Sequence, residues 1–278
     1  MSSPPSKASA AHHAYVQEEE APPSYDAAGS SSSRVESSEP LLGGPRFDEP
    51  DDAFPPDYKT VVAESSLIVR QRFISKVYSI LFFQLLATGA LSAATFYSAG
   101  FKTWVQTNGW MMWISLIGSI ISLIAVYYKR KDYPTNYYLL ALFTGLEAYT
   151  VAIITSFYDS KIVLEAVVIT AVVFAGLTLF ALQTKYDFTQ WQGILFTSLW
   201  ILIGAGFISM FFSHGSGFEM VYSVGAVVIF SGYVLVDTQM IMKHFTPDEE
   251  VAAAISLYLD IINLFINILR ILNNQSNN

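Results

Sequence analysis

Residues 255–272 read "ISLYLDIINLFINILRIL", a run apolar enough to lie in a bilayer that still carries Asp260 at its middle. On a helix of 3.6 residues per turn, Ser256, Asp260, Asn263, Asn267 and Arg270 follow at intervals of 4, 3, 4 and 3 and share one face. The other faces are Leu, Ile, Phe and Tyr. A carboxylate at membrane depth is tolerated where its helix turns it toward protein rather than lipid. The segment therefore reads as the central, C-terminal helix of a membrane bundle.

The rest of the chain supplies the bundle. The chain is 53% hydrophobic and 15% aromatic with a mean hydropathy of +0.41, values typical of polytopic membrane proteins. Apolar runs of membrane-spanning length lie at 77–99, 109–128, 137–157, 162–182, 191–212, 220–242 and 251–272. They predict an all-α fold of seven transmembrane helices, the seventh carrying enough polar positions to be a full span or a re-entrant segment. Arg70, Arg72, Lys76, Lys129, Arg130, Lys131, Lys185 and Lys243 flank one side of these spans, against Lys102 and Lys161 on the other. The basic excess puts the N-terminus in the cytosol.

Residues 1–58 have another character. They hold eleven acidic and three basic residues, which is the whole net charge of −8; residues 59–278 hold twelve of each. The acidity belongs to this tail and points to no nucleic-acid partner. Nine of the eleven prolines and the "SSSS" run at 30–33 also fall here. Such a segment buries too little apolar surface to offset its ordering entropy and reads as a disordered, Pro/Ser-rich cytosolic tail ahead of a membrane domain at 59–278. It contains "PPSY" and "PPDY": Pro22, Pro23 and Tyr25, then Pro55, Pro56 and Tyr58. Paired prolines preset an extended helix and the tyrosine anchors it, the pattern that WW domains bind. A chance occurrence in low-complexity sequence is the plainer alternative. No apolar run near Met1 suggests a cleaved signal peptide. With no cysteine, disulfides and thiolate metal sites are excluded.

Four acids fall inside the predicted spans: Glu147, Glu165, Asp237 and Asp260. Asp237 precedes Lys243 by six residues, about 9 Å into the membrane, and Asp260 follows Glu250 by ten, about 15 Å. Consecutive antiparallel helices bring the two to similar depth. Carboxylates in contact at low dielectric hold one proton jointly and titrate as a pair, and when deprotonated they offer hard oxygens to a passing Ca²⁺. Lys129 and Arg130 end the second span at the same side and are the candidate basic latch. Ser256, Asn263, Asn267 and the mid-span Glu147 are candidate pore-lining groups. Packing by hydrogen bonds is the alternative role for each. Glu165, at a helix start, reads as structural. No tightly bound metal and no cofactor are expected; Ca²⁺ enters as a transported ion.

These residues carry a resemblance. "RQRFISKVYSIL" (70–81), "TGLEAYTVA" (144–152), "SFYD" (156–159), "LTLFALQTKYDF" (177–188), "GYVLVDTQ" (232–239) and "SLYLDIINLFINILRIL" (256–272) together resemble the transmembrane Bax inhibitor motif (lifeguard) family. The nearest branches are the Golgi anti-apoptotic and fungal Bax inhibitor proteins. The resemblance implies a seven-helix fold with a central last helix and a pH-sensitive calcium leak of intracellular membranes: endoplasmic reticulum, Golgi or vacuole. It also implies suppression of cell death, a link to the unfolded protein response, and possible Bcl-2-type or other death-pathway partners. In bacterial members two aspartates on the last two helices sense protons; the matching positions here are Asp237 and Asp260, with Lys129 or Arg130 as the latch. The bacterial second-helix glutamate has no counterpart, since "IGSI" (117–120) stands there.

Two further readings compete with the leak. The bundle is then only an anchor, and the Pro-Pro-x-Tyr tail recruits a WW-domain ubiquitin ligase or death regulators. Or the aspartates are those of an intramembrane protease; but the Gly-x-Gly-Asp and Pro-Ala-Leu stretches such enzymes need do not occur, so no enzyme is expected.

Overall fold

The computed structural model describes residues 61–211 and 215–276. The tail, with Pro22, Pro23, Tyr25, Pro55, Pro56 and Tyr58, lies outside them. The described residues form eight α-helices, two short 3₁₀ turns and no strand. The helices are α1 (Leu67–Tyr97), α2 (Ala99–Thr107), α3 (Trp110–Tyr128), α4 (Thr135–Ser156), α5 (Ser160–Gln183), α6 (Gln192–Ser209), α7 (Ser216–Lys243) and α8 (Glu250–Ser276). Seven stretches are long and apolar enough to cross a membrane: all of these except α2, with α6 extended by the turn Phe188–Trp191. The all-α, seven-span expectation is met.

The boundaries differ from the hydropathy runs in places with physical causes. The first helix starts at Leu67, ten residues before the apolar run at 77, where the Ser66 hydroxyl accepts from the Val69 amide at 3.4 Å. Its first turns carry Arg70, Arg72 and Lys76, long stems that keep their charged heads in water. Helix α2 was not anticipated. Ser98 caps it, and Gln106 donates to the Ser156 carbonyl at 2.9 Å, which holds α2 against the end of α4. Glu165 is a full turn inside α5, whose start is capped by Asp159 accepting from Lys161 N at 2.8 Å. The seventh span is one continuous helix of 27 residues, about 40 Å at 1.5 Å per residue, with the length of a full span and no break of the kind a re-entrant segment needs.

Helix α8 is the most buried of the seven spans. It packs against α1, α4, α5 and α7; α3 leans mainly on α4, and α6 on α7 and the 188–191 turn. The inner shell is thus four helices rather than the other six. Burial reaches all round α8, with Val251, Leu257, Tyr258, Leu264 and Leu269 fully inaccessible. The expected division into one polar inward face and apolar outward faces is therefore too simple, because apolar faces are interior too.

The turn into α8 is closely tied. Thr246 N donates to Glu249 Oε2 at 3.0 Å, so the glutamate reaches back to the residue that opens the turn. Val62, fully buried ahead of α1, donates its amide to the Phe245 carbonyl at 2.8 Å.

Candidate functional site

Asp237 lies on α7 and Asp260 on α8, two antiparallel helices joined by the turn at 244–249. Ala253 and Ala254 are fully buried in the first turns of α8. Asp260 is 5% exposed, and its Oδ2 has no hydrogen-bond partner. Asp237 is near enough to act on Asp260 electrostatically. Tyr233, one turn before Asp237, faces both acids, and Ser256 faces Asp237 across the interface. An unpartnered buried carboxylate oxygen beside a second carboxylate is a costly arrangement unless a proton or cation joins it.

The remaining seam residues serve their own helix. Ser256 Oγ donates to Ala253 O at 3.0 Å, Asn263 Nδ2 to Leu259 O at 2.8 Å, and Asn267 Nδ2 to Asn263 O at 2.8 Å. Each donor is thereby satisfied within its own turn. Asn267 Oδ1 and, on α7, Ser223 Oγ are buried without partners. Arg270, at the far end of the seam, reaches Tyr158 between α4 and α5, with Glu219 of α7 nearby.

Neither candidate latch residue rests on the acid pair in this structure. Lys129 pairs with Asp132 at 2.8 Å on the surface. Arg130 Nε pairs with Glu249 Oε1 at 3.0 Å, and its guanidinium lies over the Tyr127 ring. The reason is proximity: the capping turn presents Glu249 to the end of α3 before Arg130 could reach deeper. Lys131 completes the clasp, 3.5 Å from Asp248 and 3.7 Å from Glu249, while Lys76 lies 3.6 Å from Glu250. Below this clasp a cavity of about 690 Å³ opens between α3, α7 and α8, bounded by Leu123, Met240, Phe245 and Ile255 and reaching Ser256. Arg130, Glu249 and His244 border the same cavity, so it leads from the basic end of the bundle toward the neighbour of Asp237.

Glu147, on α4, stands apart from the acid pair. It lies beside Ser119 of α3 and near Tyr258, on another face of α8.

One group that sequence reasoning passed over holds α7 in place. Gln239, two residues beyond Asp237 and buried, accepts from Phe188 N at 2.7 Å and donates to Tyr186 O at 2.8 Å. The same loop is fixed by Lys243 and Asp187 at 3.3 Å. The Thr189 hydroxyl and amide, more than Lys243, hold the Asp187 carboxyl below its usual range.

The profile of the family described as "Inhibitor of apoptosis-promoting Bax1" matches residues 70–277. The chain belongs to the Bax inhibitor (lifeguard) family. Protein lifeguard 4 of Mus musculus is 40% identical over 83% of this chain and 95% of its own length. Bax inhibitor 1 of Schizosaccharomyces pombe is 38% identical over 79% of this chain and 82% of its own. The Golgi anti-apoptotic protein of vaccinia virus is 37% identical over 78% and 91%. Family membership fits a multi-pass membrane protein whose partner along most of its surface is the lipid bilayer. The exposed Trp113, Ile117, Ile121 and Trp200 suit that contact.

Proposed function

We propose that this chain is a pH-sensitive calcium leak of an intracellular membrane (endoplasmic reticulum, Golgi or vacuole), with a cell-death-suppressing and stress-related role. The observation that carries the reading is the juxtaposition of Asp237 and Asp260, with one buried Asp260 oxygen left without a partner. A pair of this kind binds a proton or, once deprotonated, transiently a Ca²⁺, so its occupancy depends on pH. The cavity that reaches Ser256 offers a route to it from the basic end, which the distribution of Lys and Arg makes cytosolic. Arg130, at the mouth of that cavity, is the residue we assign as the latch; Lys129, turned away to Asp132, is not. Asn263 and Asn267 continue the polar seam toward the far side. The names of the vaccinia and fission-yeast relatives support the role in cell death.

The test is Ca²⁺ flux through purified protein in liposomes as a function of pH. The wild type is expected to leak with a pH dependence that Asp260→Asn and Asp237→Asn each abolish. Wild-type vesicles no leakier than empty ones would overturn the reading.

A second reading is favoured by the two Pro-Pro-x-Tyr copies: a membrane-anchored interaction protein that recruits a WW-domain ubiquitin ligase or Bcl-2-type death regulators. Changing Tyr25 and Tyr58 together to Ala then abolishes the cellular effect and leaves the flux intact.

A further inference from the structure

Asp260 and Tyr258 are two residues apart on α8, so their side chains leave the helix about 200° apart. The acid pair therefore occupies one face, and Tyr258 looks the other way, into the space between α1 and α4. Its hydroxyl lies 2.8 Å from Thr88 Oγ1, and Thr88 gives its single proton to the Gln84 carbonyl at 2.8 Å. Tyr258 must then be the donor to Thr88, which leaves its own lone pairs open. One turn back along α1, Gln84 Nε2 donates to Thr144 Oγ1 of α4 at 3.0 Å. Gln84 Oε1, on a side chain 3% exposed, has no partner at all. Glu147 sits one turn beyond Thr144 on the same face of α4, with Ser119 beside it and Tyr258 close enough to feel its charge.

A carboxylate, an amide oxygen without a donor and two hydroxyl oxygens are thus contributed by three neighbouring helices, α1, α4 and α8. A buried acceptor such as Gln84 Oε1 is costly until a donor or a cation satisfies it. Every one is a hard oxygen, with no imidazole or sulfur among them, which selects ions of the Ca²⁺ type over transition metals.

We propose that Glu147, Gln84, Thr144 and Tyr258 form a second hard-cation site, on the face of α8 opposite the acid pair. A single carboxylate among neutral oxygens makes it a weak, exchangeable site. An ion held there joins α1, α4 and α8. The inference does not rest on the leak reading, because it concerns binding at a different set of residues.

Terbium(III), a Ca²⁺ surrogate whose emission is sensitised by a tyrosine beside it, separates the two sites, since each has its own aromatic antenna. Tyr233 serves the acid pair and Tyr258 the second site. Full-length protein in detergent is titrated with terbium under tyrosine excitation. Tyr258→Phe is expected to remove one component of the emission. Glu147→Gln should weaken that component roughly tenfold or more, and Asp260→Asn should leave it in place. If Glu147→Gln does not give folded protein, Gln84→Met, which changes no charge, replaces it and should weaken the same component. Emission that is indifferent to Tyr258→Phe and to the Glu147 or Gln84 variant, or that vanishes entirely in Asp260→Asn, overturns the proposal. Liposomes without flux but with this component intact would sink the leak and leave the second site standing.

Discussion

Arg130 Nε and Glu249 Oε1 lie 3.0 Å apart, joining residues at the end of α3 and just ahead of α8 that are distant in the chain. Glu249 also holds the Thr246 amide and lies near Lys131, so it is the hub and Arg130 one of its spokes. Glu249→Gln should accordingly lower the melting temperature in detergent more than Arg130→Gln does. The double variant should lose little beyond Glu249→Gln, with a coupling of about 1 kcal/mol. Strictly additive losses would show that the two side chains do not act on each other.

Gln239 holds the loop between α5 and α6 through backbone groups alone. Gln239→Leu keeps the volume and strands the Phe188 amide and the Tyr186 carbonyl, each worth about 1–3 kcal/mol when buried without a partner. Thermal unfolding should register that loss. Gln239→Glu, which retains an acceptor for Phe188 N but no donor for Tyr186 O, should fall between the two.

Gly232 marks the seat of α6 on α7. A Cβ there would stand 2.9 Å from Leu195 Cδ2, the end of a side chain that can shift a little. Gly232→Ala is expected to cost about 1 kcal/mol, and Gly232→Leu to push α6 off at about 3 kcal/mol or more. Because α6 packs on little else, protease sensitivity of the 184–191 loop in Gly232→Leu is the measurement. A loop as resistant as in the wild type would contradict this seating.

Asn274, Gln275 and Ser276 spell a glycosylation sequon, yet Asn274 is buried in the last turn of α8 and its amide donates to Ser216 O at 3.0 Å. A buried helical amide is no acceptor for a glycan. The expressed protein should show no mobility change on glycosidase treatment, whichever way the helix points across the membrane.

The architecture was legible to the extent that burial leaves a periodic mark. Asp260 and its stripe could be placed on α8 because charge inside an apolar run is conspicuous, and Asp237 followed from counting residues to the shared edge. The start of α1 at Leu67 was hidden because Arg70, Arg72 and Lys76 end the hydropathy run, although a helix continues readily through the headgroup region. The Arg130–Glu249 pairing was not legible. It depends on how the turn before α8 aims one carboxylate, which no spacing in the sequence records. Gln239 escaped notice because amides that satisfy backbone groups carry no spacing signature. Gln84 and Thr144, neutral groups on separate helices, meet only once the bundle is assembled.

Helix α8 is the core of the bundle and also the last of the seven spans in order of synthesis. The six earlier spans must therefore enter the membrane around a vacancy, with Gln84, Thr88, Thr144 and Glu147 turned toward a neighbour not yet made. Until α8 arrives, those groups are available to lipid, water or the insertion machinery. Assembly of this bundle thus waits on α8, and a ribosome that stops short of residue 250 leaves behind an incomplete shell rather than a smaller version of the same protein.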